Sequence, residues 1–532
     1  MTALRARALA TPPWLFALVP GLAWLAFAPA TPDLAAAEYR VELYSHIHVR
    51  LWDNFWYSGH HLPAYSVLYP PLASHIGDRW LGVICAVLSA TLFDLVARAY
   101  FGDRARTGVR LFAVGTVAAL CIGQLTFSLG ICAALAALLA WQRLHPSVAV
   151  ALAAVSGLAS PVAAAFLALA ACAVFAGRDA RRDRTAITAV LVAGAALLTV
   201  IFLALAFPEG GRQPFELQSL VPVLAASLVL VLAFGSTERV LRIGAVFYAL
   251  ASLASYVLST PMGSNANRLG AAFAPALVAC APVRRRSLLV VACLVLLAWQ
   301  WTGPVRDIRL GARDPSRHAS FYAPLLDFLD GQTAPSGRDA LPARVEIPFT
   351  RLHWESRYVA QDYPLARGWE RQLDTKYDGL FYANDKHVDS GEYHAWLRAN
   401  AVRWVAVPNA DLDPAGEHEA ALIRTGLPYL RLVWRRGDWT IYELRDPLPL
   451  AAEPLQVTDM GHNHIDGYAS RAGWSVLRVH YSSYFETRGA VTCVKRGPGT
   501  WTSLYAGGKG QFSLRAKFSV AGLLQRDSNC HK

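Results

Sequence analysis

The chain has 532 residues, 54% of them apolar and 17% charged, with a formal net charge of +12. Its mean hydropathy of +0.30 is too high for an ordinary soluble protein, yet the residues after about 303 read as a normal polar domain. The positive charge comes largely from arginines in short loops of the apolar part, so it reports membrane insertion and excludes nucleic acid as the expected partner.

In chain order, apolar runs cover 13–30, 80–100, 111–123, 126–141, 148–159, 162–176, 186–207, 220–234, 243–260, 269–281 and 287–302. A helix needs ~20 residues to cross the hydrocarbon, and the shorter runs come in pairs separated by one break. The expectation is an α-helical polytopic membrane protein of about eleven spans, with residues 1–303 forming the bundle. The first run, with basic residues before it and Ala28-Pro29-Ala30 at its end, resembles a secretory signal. It exceeds the ~7–15 residues of a signal core, so retention as the first helix is expected.

Orientation follows from arginine placement. With Arg5 and Arg7 inside, the loops carrying Arg104, Arg106, Arg110, Arg143, Arg178, Arg181, Arg182, Arg184, Arg239, Arg242, Arg284, Arg285 and Arg286 are also inside, as the positive-inside rule requires. An odd number of spans then puts the C-terminal part outside. That part divides into an α+β domain (304–449) and a β-rich module (450–532). In the first, 321–329 and 393–400 read as helices, and 343–348 and 404–407 as strands. In the second, 475–481, 489–494, 500–505 and 511–518 read as strands. Six cysteines lie in or beside apolar runs, where the thiol behaves as a small hydrophobe. Cys493 and Cys530 fall in the outer module, where a disulfide between them would persist.

The outer face collects the chemistry-bearing residues. The long first loop (31–79) holds Asp33, Glu38, Glu42, Asp53 and Asp78 together with His46, His48, His60, His61 and His75. Residues 33–48 read as a short helix along the membrane surface, with Asp33 as its cap. The aromatic cluster of residues 52–57 suits a membrane interface or stacking on a sugar ring. His46 and His48 are weak metal candidates, since an i, i+2 pair shares a face only on a strand or irregular segment; hydrogen bonding within a packed loop is the alternative. Two further outer turns contribute Arg212 in Gly210-Gly211-Arg212 and the run Gly263-Ser264-Asn265-Ala266-Asn267-Arg268. Arg268, with Asn265 and Asn267, stands where a turn becomes a helix. Exposed amides and a guanidinium fork there favour a phosphate, and snorkelling to headgroups is the competing reading.

Asp33 soon after the first helix, then Trp52-Asp53, Gly59 and Tyr69-Pro70-Pro71-Leu72 before the next helix, resemble the first-loop pattern of polytopic GT-C-type glycosyltransferases. The pattern is most similar to the bacterial membrane family labelled 6-pyruvoyl-tetrahydropterin-synthase-related. The resemblance implies a bacterial plasma-membrane enzyme that moves a sugar from a polyprenyl-phosphate donor to a cell-envelope glycan or lipid on the outer face. It implies a loop carboxylate as base, with Asp33 first and Glu38 and Asp53 second. Many such enzymes carry two adjacent acids in this loop; Asp33 has no acidic neighbour. The cofactor stays open, a divalent metal being one way to hold the leaving phosphate. A lipid or glycolipid transporter and a non-catalytic envelope scaffold are the competing classes; the scarcity of polar residues inside the spans argues against transport. The chain has no phosphate-binding glycine loop, nucleotide signature, zinc-ligand spacing or solenoid repeat.

Overall fold

The structure is a computed structural model describing residues 11–177, 184–235, 238–282, 286–333, 341–382, 388–524 and 528–530. Arg5, Arg7, Arg178, Arg181, Arg182, Arg284 and Arg285, on which part of the orientation argument rests, lie outside the described residues. The chain divides into two compact units. The first takes residues 1–37, 64–205 and 210–312, and the second takes 38–63, 206–209 and 313–532.

The first unit is helical. Six segments are long and apolar enough to cross a membrane: Asp78–Cys121, Leu125–Gln142, Arg184–Ala206, Leu217–Phe234, Arg239–Val257 and Ser287–Gly311. A seventh span arises if Leu15–Phe27 and Pro32–Ile47, bent by 81° at their junction, are counted together. The runs expected at 80–100 and 111–123 belong to the single stretch Asp78–Cys121, whose helices Asp78–Phe101 and Ala105–Cys121 meet at a 3₁₀ turn and pack on each other. Pro146–Ala159 and Pro161–Gly177 are shorter apolar helices, separated because Pro161 cannot donate the amide that would continue the first.

Burial separates these helices into two kinds. Small residues line the packed faces: Ala137, Ala149, Ala153, Ala164, Ala171 and Ala196 share one core. A second core stacks Phe93 on Phe112, with ring centroids 4.2 Å apart. Outward faces carry large aliphatics such as Leu232, 72% exposed, and Leu198, 66% exposed. Each such side chain forgoes roughly 1.5–3 kcal/mol in water, a cost that a hydrocarbon surround removes. These are membrane-type helices.

The second unit carries the strands. β1 (Trp52–Asp53) and β2 (His60–His61) form a small ribbon. β3 (Arg344–Glu346), β4 (Val402–Pro408), β5 (Leu430–Arg436) and β6 (Trp439–Leu444) form a mixed sheet ordered β3-β4-β6-β5, only the β3–β4 pair being parallel. The helices Ala319–Thr333, Ser390–Ala399 and Pro414–Arg424 accompany this sheet in sequence. The last two begin with Asp389 and Asp413 accepting amide hydrogen bonds from the first turn, the usual device for satisfying orphan amides.

β7 (Leu455–Gly461), β8 (His464–Ala469), β9 (Gly473–His480), β10 (Phe485–Gly489), β11 (Val491–Arg496), β12 (Trp501–Ala506), β13 (Gly510–Ala516) and β14 (Ser528–Cys530) make two antiparallel sheets, β10-β13-β8-β7 and β14-β11-β12-β9. Alternate residues of both sheets, among them Val457, Ile465, Leu477, Val479, Leu504 and Leu514, share one core. That is the arrangement of a sandwich. Cys493 and Cys530 are cross-strand partners and are joined by a disulfide.

The expected aromatic surface of residues 52–57 is not a surface. Trp52, Phe55, Trp56 and Tyr57 are buried, and Trp52 belongs to the sandwich core. Asn54 donates to the carbonyls of Gly461 and His464, at 2.8 and 3.2 Å. The Trp56 indole donates to Ser356 O at 3.0 Å, and Tyr57 Oη donates to Gly368 O at 2.6 Å. An amphipathic ring suits an interface or a core equally. Here polar partners for each indole and phenol inside the domain decide for the core.

Candidate active site

In the first unit, the structure brings together two residues singled out from separate stretches of sequence. Asp33 lies in the first turn of Pro32–Ile47, and Arg268 in the first turn of Asn267–Cys280. Arg268 Nη2 lies 3.7 Å from Asp33 Oδ2, an ion pair looser than a hydrogen bond. Asp33 is 39% exposed, Arg268 16%. The guanidinium also lies over the Phe127 ring, 5.6 Å from its centroid, which restrains it on its apolar side.

Backbone packing fixes both helix starts. Gly123, at φ +80°, passes so close to the other chain segment that a Cβ there would sit 2.3 Å from Leu34 N. Gly263 closes the turn before Arg268, where a Cβ would meet Gln213 O at 1.9 Å. Only glycine permits these approaches. Tyr248 Oη then donates to Ala266 O (2.8 Å) and accepts from the Gly270 amide (3.0 Å), pinning the first turn of the Arg268 helix.

The remaining phosphate-type candidates cluster around the same turn. Asn265 is buried and its amide lies 3.4 Å from Pro261 O. Asn267 Oδ1 is buried without a hydrogen-bond partner. The turn bearing Arg212 is tied to this one through Gln213, whose side chain donates to Ser264 Oγ at 3.0 Å and whose amide donates to Thr260 O at 3.1 Å. One carboxylate and one guanidinium thus stand together at two helix N-termini, the second preceded by the turn that carries Asn265. Such ends attract anions.

Glu38 and Asp53 belong to the second unit and are engaged there. Arg357 pairs with Glu38 and with Glu42, each at 3.1 Å. Asp53 is wholly buried. It accepts from Tyr39 Oη at 2.8 Å, from the Phe55 amide at 3.1 Å, and pairs with His462 Nδ1 at 3.0 Å. Burial pushes the Asp53 carboxyl up, but the hydrogen bond and charge of His462 outweigh it and hold it below the usual range. Conversely, burial lowers His462, and its bond to Asp53 raises it overall. The two form an internal ion pair, and both oxygens of the buried Asp53 are already engaged within the domain.

The histidines of the loop separate. His46 Nδ1 lies 2.8 Å from Glu42 O, while His48 sits in the left-handed region at φ +55° against Tyr44. Among the described residues, the one group whose ligand atoms lie within 4.8 Å of one another is Asp459, His464 and Asp466, on β7 and β8. His464-Ile465-Asp466, an i, i+2 pair on one strand face, was the available signal for it. His462, by contrast, reaches Asp53 from 409 residues away, and nothing local in the sequence announces it. No protein-family model matches the chain, and no curated protein matches it either.

Proposed function

We propose that the chain is a membrane glycosyltransferase of GT-C type, acting at the outer face of a bacterial plasma membrane. It takes a sugar from a polyprenyl-phosphate donor and passes it to a cell-envelope glycan or lipid. The observation that carries this reading is the Asp33–Arg268 pair, at 3.7 Å on two helix N-termini with Asp33 partly exposed.

Inverting transfer needs a base for the acceptor hydroxyl and a cation for the leaving phosphate. Asp33 takes the hydroxyl proton as the acceptor oxygen bonds the anomeric carbon. Arg268 takes the negative charge that develops on the phosphate as the glycosidic bond breaks. Because the resting pair is loose, an arriving phosphate exchanges places with Asp33 on the guanidinium, leaving the carboxylate to face the acceptor. Asn265, Asn267 and Arg212 supply further polar contacts to the donor head. In this reading, about eleven spans with the N-terminus inside leave the second unit's C-terminal residues extracytoplasmic. The arginine placement described above supports that orientation.

The test is sugar transfer by purified protein in liposomes with a polyprenyl-phosphate-linked sugar. Asp33→Asn abolishes transfer and leaves the melting transition in place; transfer at the wild-type rate by that variant removes the assignment. Arg268→Lys weakens donor binding clearly, because lysine keeps the charge without the planar fork. Unchanged donor affinity in Arg268→Lys and Arg268→Ala alike removes Arg268 from the site. Translocation of the intact lipid without transfer identifies a transporter instead.

A further inference from the structure

The second unit holds a linear hydrogen-bonded chain of a hydroxyl, an imidazole and a carboxylate that glycosyl transfer does not use. His61 Nδ1 lies 2.6 Å from Glu209 Oε1, and His61 Nε2 lies 2.9 Å from Ser482 Oγ. All three residues are buried, at 6%, 6% and 2% exposure. The acid is separated from the histidine by 148 residues and the serine by 421, so only the fold assembles them.

The directions of the hydrogen bonds follow from the ends of the chain. Burial pushes the Glu209 carboxyl up, but the hydrogen bonds and charge of His61 dominate and hold it at about 2. An ionised Glu209 only accepts, so in the neutral imidazole His61 Nδ1 carries the hydrogen and Nε2 presents its lone pair to Ser482. At the other end, the Tyr484 amide donates to Ser482 Oγ at 3.2 Å, and with Nε2 as an acceptor the hydroxyl hydrogen points at it. Glu209 also accepts the His61 amide, and the Lys376 ammonium donates to the Glu209 backbone carbonyl. The imidazole is therefore fixed in tautomer and orientation, between the ring of Trp52 (4.8 Å), Phe207 (5.9 Å) and Tyr484 (6.0 Å).

We propose that Ser482, His61 and Glu209 form a nucleophilic serine site for a carboxylic ester with an apolar acyl group. The required relation is a nucleophile within hydrogen-bond reach of a base that a third group orients. Ser482 Oγ bonds the ester carbonyl carbon while His61 Nε2 takes its proton, then passes that proton to the departing alkoxide as the ester C–O bond breaks. Water, deprotonated by His61, cleaves the acyl-serine and releases the carboxylate and the free hydroxyl of Ser482. Ser482 and His61 are the catalytic residues, and Glu209 is a positioning residue. The aromatic rings around His61 match an apolar acyl group rather than a charged one. This assignment is independent of the glycosyl-transfer reading.

The test is covalent labelling of the detergent-solubilised full chain with a compact organophosphorus fluoride, the adduct located by peptide mass. Labelling falls on Ser482 and disappears in Ser482→Ala. Glu209→Gln slows it by about a hundredfold or more, as loss of the orienting acid does in such sites, while Glu209→Asp restores part of the rate. Equal melting transitions for these variants separate lost chemistry from lost folding. Absence of an adduct on Ser482 in the folded wild-type chain overturns the proposal. So does a labelling rate that Glu209→Gln leaves unchanged. Both readouts stand whatever the sugar-transfer assay shows.

Discussion

Asp33 keeps 39% of its surface and faces Arg268 at 3.7 Å, whereas Asp53, from the same loop of sequence, keeps none and is held by Tyr39, His462 and the Phe55 amide. The same contrast separates the two units as wholes. The first hides small residues and shows large aliphatics, so its stability depends on the solvent its outer helices meet. The second hides charge: Arg367 lies between Glu346, at 2.7 Å, and Glu419, at 2.5 Å, with all three side chains at most 1% exposed. A carboxylate fully enclosed with its cation serves folding; one left partly in solvent beside an arginine is the kind the proposed transfer calls on.

The largest expected effect comes from breaking the enclosed charge. Arg367→Ala strands Glu346 and Glu419 without their cation and destabilises the second unit by about 3–5 kcal/mol. Protease susceptibility of the 313–532 part checks this, and the first unit's helices should resist as before.

A smaller effect should follow pH. Burial raises the Glu355 carboxyl to about 8 from an ordinary 4.5, against the opposing hydrogen bond with Thr350. The folded state therefore keeps a proton that the unfolded chain releases, and stability from this group falls as pH rises between ~4.5 and ~8. Glu355→Gln removes that contribution, so its unfolding midpoint declines less over this range than the wild-type midpoint does. An equal or steeper decline contradicts the assigned direction.

Asp53→Asn replaces an acceptor with an amide that cannot pair with a protonated His462. The cost is about 1–3 kcal/mol, read as a lower melting temperature of the second unit. The least effect on stability belongs to Asp33→Ala, about 0.3–1 kcal/mol for a half-exposed acid in the first turn of a helix. A loss as large as that of Asp53→Asn would make Asp33 a structural residue and erase the contrast drawn above.

Much of the helical first unit could be read from hydrophobicity, because a run of apolar residues carries its own helix and its own solvent preference. The boundaries were less legible. The runs 80–100 and 111–123 are two helices, Asp78–Phe101 and Ala105–Cys121, as their separation indicates, but the second starts at Ala105 rather than 111, directly after the 3₁₀ turn Gly102–Arg104. In the second unit, alternation in 475–481 foreshadowed β9, while β7 and β8 went unread. His464 and Asp466 face outward between Ile465 and Gly467, and so much polar character obscures a short strand. The β5–β6 hairpin, rich in arginine, was missed for the same reason.

The sequence by itself determined the apolar helices, the polar C-terminal part, and the placing of Asp33 and Arg268 at helix starts. Each of these depends on neighbours within a few turns of chain: local apolar periodicity, a proline, a glycine, a capping side chain. Only the tertiary structure decided that the loop aromatics are core, that Asp53 is neutralised by His462, and that Ser482 and Glu209 meet on His61. Those relations join residues hundreds of positions apart. Side-chain pairing at such range leaves no local trace, because it is set by which faces pack together and by the need to give every buried polar group a partner.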